Sequence, residues 1–151
     1  MVRRAKIVDV PQMVKLINYY AQKGEMLGRP MIEMYESIRS FFVVERDDRI
    51  VACGSLSVIW NDLGEIRTVA VDEDYKGLGL GRQLVEALIE DAKVLKLPRL
   101  FCLTYQPEFF KKMGFSDIDK SELPHKVWKD CINCPKFPDC DETSLIMDIS
   151  S

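Results

Sequence analysis

Residues 69–82, Val-Ala-Val-Asp-Glu-Asp-Tyr-Lys-Gly-Leu-Gly-Leu-Gly-Arg, restrict the fold more than any other stretch of the chain. The segment reads as a strand end, then a short loop with Gly77, Gly79 and Gly81 at alternate positions, then the immediate start of a helix. Leu80, Leu84, Leu88, Ala92 and Leu95 recur along one face of that helix. Glycine lets a backbone approach a ligand closely because no Cβ intervenes. The first turn of a helix carries N–H groups without intrahelical partners. Together they form a positive concavity suited to a pyrophosphate. Glycines that merely pack a helix against a strand give the same spacing, so both readings stand on the pattern alone. Two other phosphate motifs fit worse. A P-loop needs Gly-Lys-Ser/Thr, whereas Gly81 is followed by Arg82 and Gln83. A dinucleotide fingerprint needs a longer gap between its last two glycines and an acidic residue about 20 positions on.

The rest of the chain alternates around this unit. A short apolar and charged start (2–7) precedes Asp9, a candidate N-cap with Pro11 in the first turn, and Met13, Leu16, Ile17 and Tyr20 then repeat at helical spacing until Gly24. A second short helix is predicted over 31–39. Strands are predicted over 41–45 and 50–59 around an Asp47-Asp48 turn, and over 65–71 after a turn at 61–64. Beyond the helix come a strand at 98–104, a helix at 108–113 ended by Gly114, a strand start at 115–118, an irregular stretch at 119–141 and a closing strand at 143–149. That order predicts a single α/β domain over 1–151 with a mixed sheet flanked by helices.

At this point the chain resembles the GNAT superfamily of N-acetyltransferases. Residues 69–82 are similar to its motif A, Arg/Gln-x-x-Gly-x-Gly/Ala after a hydrophobic strand, with Lys76 in the Arg/Gln position. Phe109-Phe110-Lys111-Lys112-Met113-Gly114-Phe115 resembles the closing Tyr-x-x-x-Gly-Phe helix, with Phe110 in place of the tyrosine. The resemblance covers residues 1–149 and implies a mainly antiparallel sheet with splayed strands and acetyl-CoA as cosubstrate. It also implies that backbone groups of Val69, Ala70 and Val71 hold the pantetheine arm and thioester. Lys76 and the run Gly77, Leu78, Gly79, Leu80, Gly81 and Arg82 would take the pyrophosphate.

A closer resemblance is to the small glutamate N-acetyltransferases of arginine biosynthesis. Their Gly-x-Leu-Leu-x-Arg segment corresponds to Gly24-Glu25-Met26-Leu27-Gly28-Arg29, and their Glu-Ile-Arg before Leu-Ala-Val to Glu65-Ile66-Arg67 before Val69-Ala70-Val71. Glutamate has two carboxylates, and arginine meets a carboxylate through two parallel N–H bonds. Arg29 and Arg67 are therefore the candidate acceptor ligands. Strand alternation would put Glu65, Arg67 and Val69 on one face. Glu65 is the candidate general base for the ammonium, directly or through water; a plain Glu65–Arg67 ion pair is the competing reading. Phe110 cannot donate a proton, so Tyr105 is the candidate acid for the leaving thiolate, unless none is needed.

Composition limits the partners. The net charge is −3 with no basic stripe, which argues against nucleic acid, and no run approaches the roughly 20 apolar residues of a membrane helix. The N-terminal charges have no apolar core behind them, and five cysteines without a secretion signal predict reduced thiols in the cytoplasm. His125, Cys131, Cys134 and Cys140 match no standard zinc knuckle. They read as a histidine and three thiols in a loop pinned by Pro124, Pro135 and Pro138, with a structural zinc as the alternative. No metal is expected in catalysis. Cys53 and Cys102 read as small core residues. Two other functions remain open at this level: acetylation of another amino acid, small amine or protein N-terminus, and a non-catalytic acetyl-CoA-binding or partner-docking module. A homodimer is compatible with such a fold and required by nothing in the sequence.

Overall fold

The computed structural model describes residues 2–26, 28–123 and 142–150. Its centre is the hairpin of β2 (Phe41–Arg46) and β3 (Arg49–Trp60). Asp47 and Asp48 both take left-handed φ values, 53° and 60°, as a two-residue hairpin turn matched to strand twist requires. β3 pairs next with β4 (Leu63–Val71), and β1 (Val2–Arg4) adds to the far edge of β2. β5 (Arg99–Thr104), β6 (Ser116–Asp117) and β7 (Thr143–Asp148) complete a seven-stranded sheet in the order β1-β2-β3-β4-β5-β7-β6. Every neighbouring pair is antiparallel except β4 and β5. The mixed, mainly antiparallel α/β architecture expected from the sequence is therefore present.

Side-chain alternation decides where the helices sit. On β2 and β3, Val43 and Cys53 face α1 (Val10–Gln22), where they pack with Met13, Ile17 and Tyr20 and with Met34 of α2 (Met31–Glu36). The next residues along, Val44 and Ala52, face the opposite side, against Leu80 and Leu84 of α3 (Leu80–Val94). Further along α3, Val85, Leu88 and Ala92 meet Ile66, Leu100 and Cys102, joined by Phe110 of α4 (Pro107–Lys111) and by Phe115. Each fully buried leucine in this layer contributes roughly 1.5–3 kcal/mol. The sheet is thus the middle of three layers around the sites where β4 and β5 end. Among the described residues no helix is long and apolar enough to cross a membrane.

Most element ends fall within two residues of expectation, and three expectations need correction. The second helix stops at Glu36, and Ile38–Ser40 is a 3-10 turn that leads straight into β2. The first strand ends at Arg4, with a 3-10 turn at Ile7–Asp9. Asp9 precedes α1 but makes no capping bond to it. Its carboxylate, on a residue 4% exposed, instead accepts Arg3 Nη1 and Nη2 at 2.8 and 3.0 Å and the Lys6 amide at 2.7 Å. The side chain that would cap the helix ties β1 to it. Burial pushes the Asp9 carboxyl up, but the Arg3 and Lys6 hydrogen bonds pull it further down, so its pKa lies below the ordinary value. The stabilisation is therefore complete above about pH 4, the unfolded value, and is lost as pH falls through the lower folded one. Asp9→Asn should cost about 1–3 kcal/mol at neutral pH. Denaturant titrations should show the difference from the parent shrinking steadily below pH 4; a difference unchanged down to pH 2 would contradict this role.

Candidate functional site

β4 and β5 pair through only two positions, Gly64 with Leu100 and Glu65 with Phe101. Beyond these the parallel strands diverge, and a cleft of about 990 Å³ opens between them. Ile66 to Val71 lie along one wall, Cys102 to Gln106 along the other, with Phe109 and Phe110 from α4 beside them. Backbone groups of β4 that would pair within a continuous sheet here face the cleft. Tyr20 of α1 reaches across to donate its hydroxyl hydrogen to the Val71 carbonyl.

At the open end of β4 the chain turns through Glu73–Tyr75 into the glycine loop. Gly77 and Gly79 have φ of +82° and +78°, and a Cβ at either would meet nothing within 4 Å. Both thus hold a left-handed conformation that suits glycine, and both leave free space on the cleft side. Gly79 is the N-cap of the 15-residue α3 and makes no side-chain capping bond. Gly81 differs: a Cβ there would lie 3.3 Å from the Phe109 ring. Gly81 therefore packs as the helix-packing reading expects, while Gly77 and Gly79 leave the open backbone that a cradle would need. Lys76, Leu80 and Arg82 also line the cleft, whereas the Leu78 side chain is exposed and does not. A strand edge without a neighbour and a left-handed loop feeding a helix N-terminus fit an extended, amide-bearing arm ending in a pyrophosphate.

The acceptor side holds one correction. Thr68 has φ of +58°, and the β3–β4 register shifts between Cys53 and Ser55. This bulge inserts one residue and breaks the alternation. Glu65 and Arg67 still share a face, with Arg67 Nε 3.4 Å from Glu65 Oε1. Val69 does not join them; it turns with Ile66 toward Leu88 of α3. Arg29, from the connection between α1 and α2, places Nη1 3.4 Å from Thr68 Oγ1. Arg29, Glu65 and Arg67 thus converge on the same cleft, and the Glu65–Arg67 ion pair is real.

Tyr105 lines the cleft just past β5. Phe110 is buried, its ring edge-on to Phe109 and Phe115 at 5.0 and 5.5 Å, and forms an apolar wall. Burial pushes the Cys53 thiol up to about 12. Cys102 is on the cleft wall as well as in the core, and burial, then the Glu65 and Glu142 carboxylates, push its thiol higher still. Neither is a ready thiolate nucleophile. His125, Cys131, Cys134 and Cys140 lie outside the described residues. Tyr20, Thr68 and Phe109 were not singled out from sequence: Tyr20 reads as one more apolar step of α1, and nothing marks a threonine for a left-handed bulge.

Known proteins share this fold. An amino-acid acetyltransferase of Mycobacterium tuberculosis is 42% identical over 130 residues, 84% of this chain and 74% of that protein. The crystal structure of Rv2747 from Mycobacterium tuberculosis, in complex with CoA and NLQ, superposes with a TM-score of 0.85 and 34% identity over 99% of both chains. N-acetylglutamate synthase from Neisseria gonorrhoeae, complexed with coenzyme A and N-acetyl-glutamate, superposes with a TM-score of 0.89 at 27% identity. This chain is matched over 98% of its length and spans about a third, 34%, of that synthase. Residues 14–115 match the acetyltransferase (GNAT) family, and the chain belongs to it, as an enzyme that transfers an acetyl group from acetyl-CoA to an amine.

Proposed function

We propose that the acceptor is the α-amine of L-glutamate, acetylated by direct transfer, the first step of arginine biosynthesis. The observation that carries this reading is the convergence of two guanidinium groups on one wall, Arg67 on β4 and Arg29 beside the adjacent Thr68. Two fixed forks suit a substrate with two carboxylates. The name of the Mycobacterium tuberculosis relative and the N-acetyl-glutamate in the Neisseria complex support the same class.

Acetyl-CoA supplies an activated thioester. Amides from Gly77 to Arg82, with Lys76, hold its pyrophosphate, and the cleft edge at Val69, Ala70 and Val71 holds the arm. Arg29 and Arg67 orient glutamate with its nitrogen toward the thioester carbon. Glu65, 9% exposed and already aligned by Arg67, receives the ammonium proton directly or through water, which frees the lone pair for attack. Tyr105 returns a proton to the departing thiolate, the task Phe110 cannot perform.

Given acetyl-CoA and a panel of amino acids and polyamines, the protein should prefer glutamate by about tenfold or more in kcat/KM, because an acceptor with fewer than two carboxylates forgoes a contact with one of the two half-buried guanidinium groups. Chromatography of the products is the appropriate readout, since the protein's own thiols react with thiol dyes. Preference for another amine would discard glutamate and keep the family. Arg67→Ala should raise the acceptor KM about 10- to 100-fold with a far smaller effect on the acetyl-CoA KM; equal effects on both would remove Arg67 from acceptor binding. Gly79→Val should weaken acetyl-CoA binding by about tenfold or more in calorimetry, because a β-branched residue resists positive φ and fills the free space. Unchanged binding would refute the cradle.

A further inference from the structure

At the bulge, Gly54 of β3 stands opposite two residues of β4, because Cys53 pairs with Ala70 and Ser55 with Arg67. Thr68 takes a left-handed conformation there, which a β-branched residue keeps only where its surroundings enforce it. Its φ and ψ amount to the orientations of the two peptides that flank it. Those peptides carry the Arg67 and Thr68 carbonyls, and side chains of β3 hold both. Ser55 Oγ, on a residue 1% exposed, donates to the Arg67 carbonyl at 3.1 Å. The buried Cys53 thiol, kept protonated by that burial, donates to the Thr68 carbonyl at 3.8 Å. Gly54 lies between them, and a Cβ there would come within 3.3 Å of Val69 Cγ2 and of Leu88 Cδ1. Ser57, the next residue on the face of Cys53 and Ser55, accepts Arg67 Nη1 at 3.5 Å. Arg67 is thus gripped at both ends, its carbonyl by Ser55 and its guanidinium by Ser57 and Glu65.

We propose that Ser55 and Ser57 are positioning residues for the acceptor: Ser55 locks the peptide between Arg67 and Thr68, Ser57 steadies the guanidinium, and together they fix where the Arg67 fork stands in the cleft. A regular ladder would hold the Arg67 carbonyl through a backbone amide of β3. The extra residue in β4 disturbs that ladder, and the Ser55 hydroxyl supplies a donor at the disturbed place. Loss of this donor frees the peptide to rotate about Thr68, and the Arg67 side chain moves with it. A fork that must meet a carboxylate through two parallel N–H bonds is sensitive to such a shift. The edge at 69–71 is less exposed to it, because Val69 is packed against Leu88 and Gly54 on the other face. This inference rests on Arg67 as an acceptor ligand, and its assay uses whichever acceptor turns over fastest.

Ser55→Ala and the half-buried Ser57→Ala, each alone and each combined with Arg67→Ala, form two double-mutant cycles on protein shown folded by its melting transition. Ser55→Ala should raise the acceptor KM about fivefold, and Ser57→Ala about threefold, with the acetyl-CoA KM changed by less than about twofold. In the Arg67→Ala background each serine change should add less than about twofold, because the group it positions is gone. Merely structural damage would lower kcat with both KM values steady, or would act equally in the two backgrounds. Either of those results, or an unchanged acceptor KM in both single variants, would overturn the positioning role while Arg67→Ala still raised the acceptor KM. An Arg67→Ala enzyme with the parent's acceptor KM would instead remove the acceptor reading, and this inference with it.

Discussion

The separation of β4 from β5 after Glu65 and Phe101 is the constraint on which the site depends. A parallel ladder broken in the interior strands backbone donors and acceptors, and each one buried without a partner costs about 1–3 kcal/mol. The molecule tolerates the break because the two strands are held apart by well-filled layers, α1 on one face and α3 with α4 on the other. Part of the exposed edge is satisfied from within, by Tyr20 at Val71. The rest is a template for an extended polar ligand. The cleft is thus a piece of sheet with room for one more strand, the place that the proposed function gives to the cosubstrate.

The glycine loop, which the proposed function sets against the pyrophosphate, is held from outside. Lys23, just past α1, pairs with Glu73 at 3.2 Å, Tyr75 donates to Asp47 at 2.9 Å, and Arg49 reaches Asp72 at 3.4 Å. Such surface contacts are individually weak. All three nevertheless fall on the turn between β4 and the glycines, and they tie it to the end of α1 and to the tip of the β2–β3 hairpin. The left-handed residues at Asp47 and Asp48 that close this hairpin therefore also set where the glycine loop begins.

Much of this was legible in the sequence because it depends on local rules. The apolar stripe of α3 and the Asp-Asp turn each have one favoured structural solution, both readings of the glycine spacing need a strand, a loop and a helix start, and the departure at Phe110 was visible as a missing hydroxyl. What escaped depends on distant partners. Asp9 reads as a helix cap because nothing local shows that Arg3 will reach its carboxylate first. Tyr20 fits a core position of α1, and only the fold brings its hydroxyl to Val71. Thr68 is the clearest case: a β-branched residue is a poor choice for positive φ, so the periodicity of β4 carried straight through it and put Val69 on the wrong face. There the hydroxyl faces Arg29, and the strand gains its extra residue.

The bulge at Thr68 acts as a phase shift in the strand. Residues before it count odd positions toward the wall that carries Glu65 and Arg67, and residues after it count even ones, so the two segments of β4 are out of step. A lineage that deleted this one residue would invert every side chain of 69–71 relative to α1 and α3 at a stroke, while one that kept it could exchange Glu65 and Arg67 for other polar pairs without disturbing the donor end. The segment that carries Glu65 and Arg67 and the segment 69–71 are in this sense separately evolvable on a single strand, with Thr68 as the seam between them.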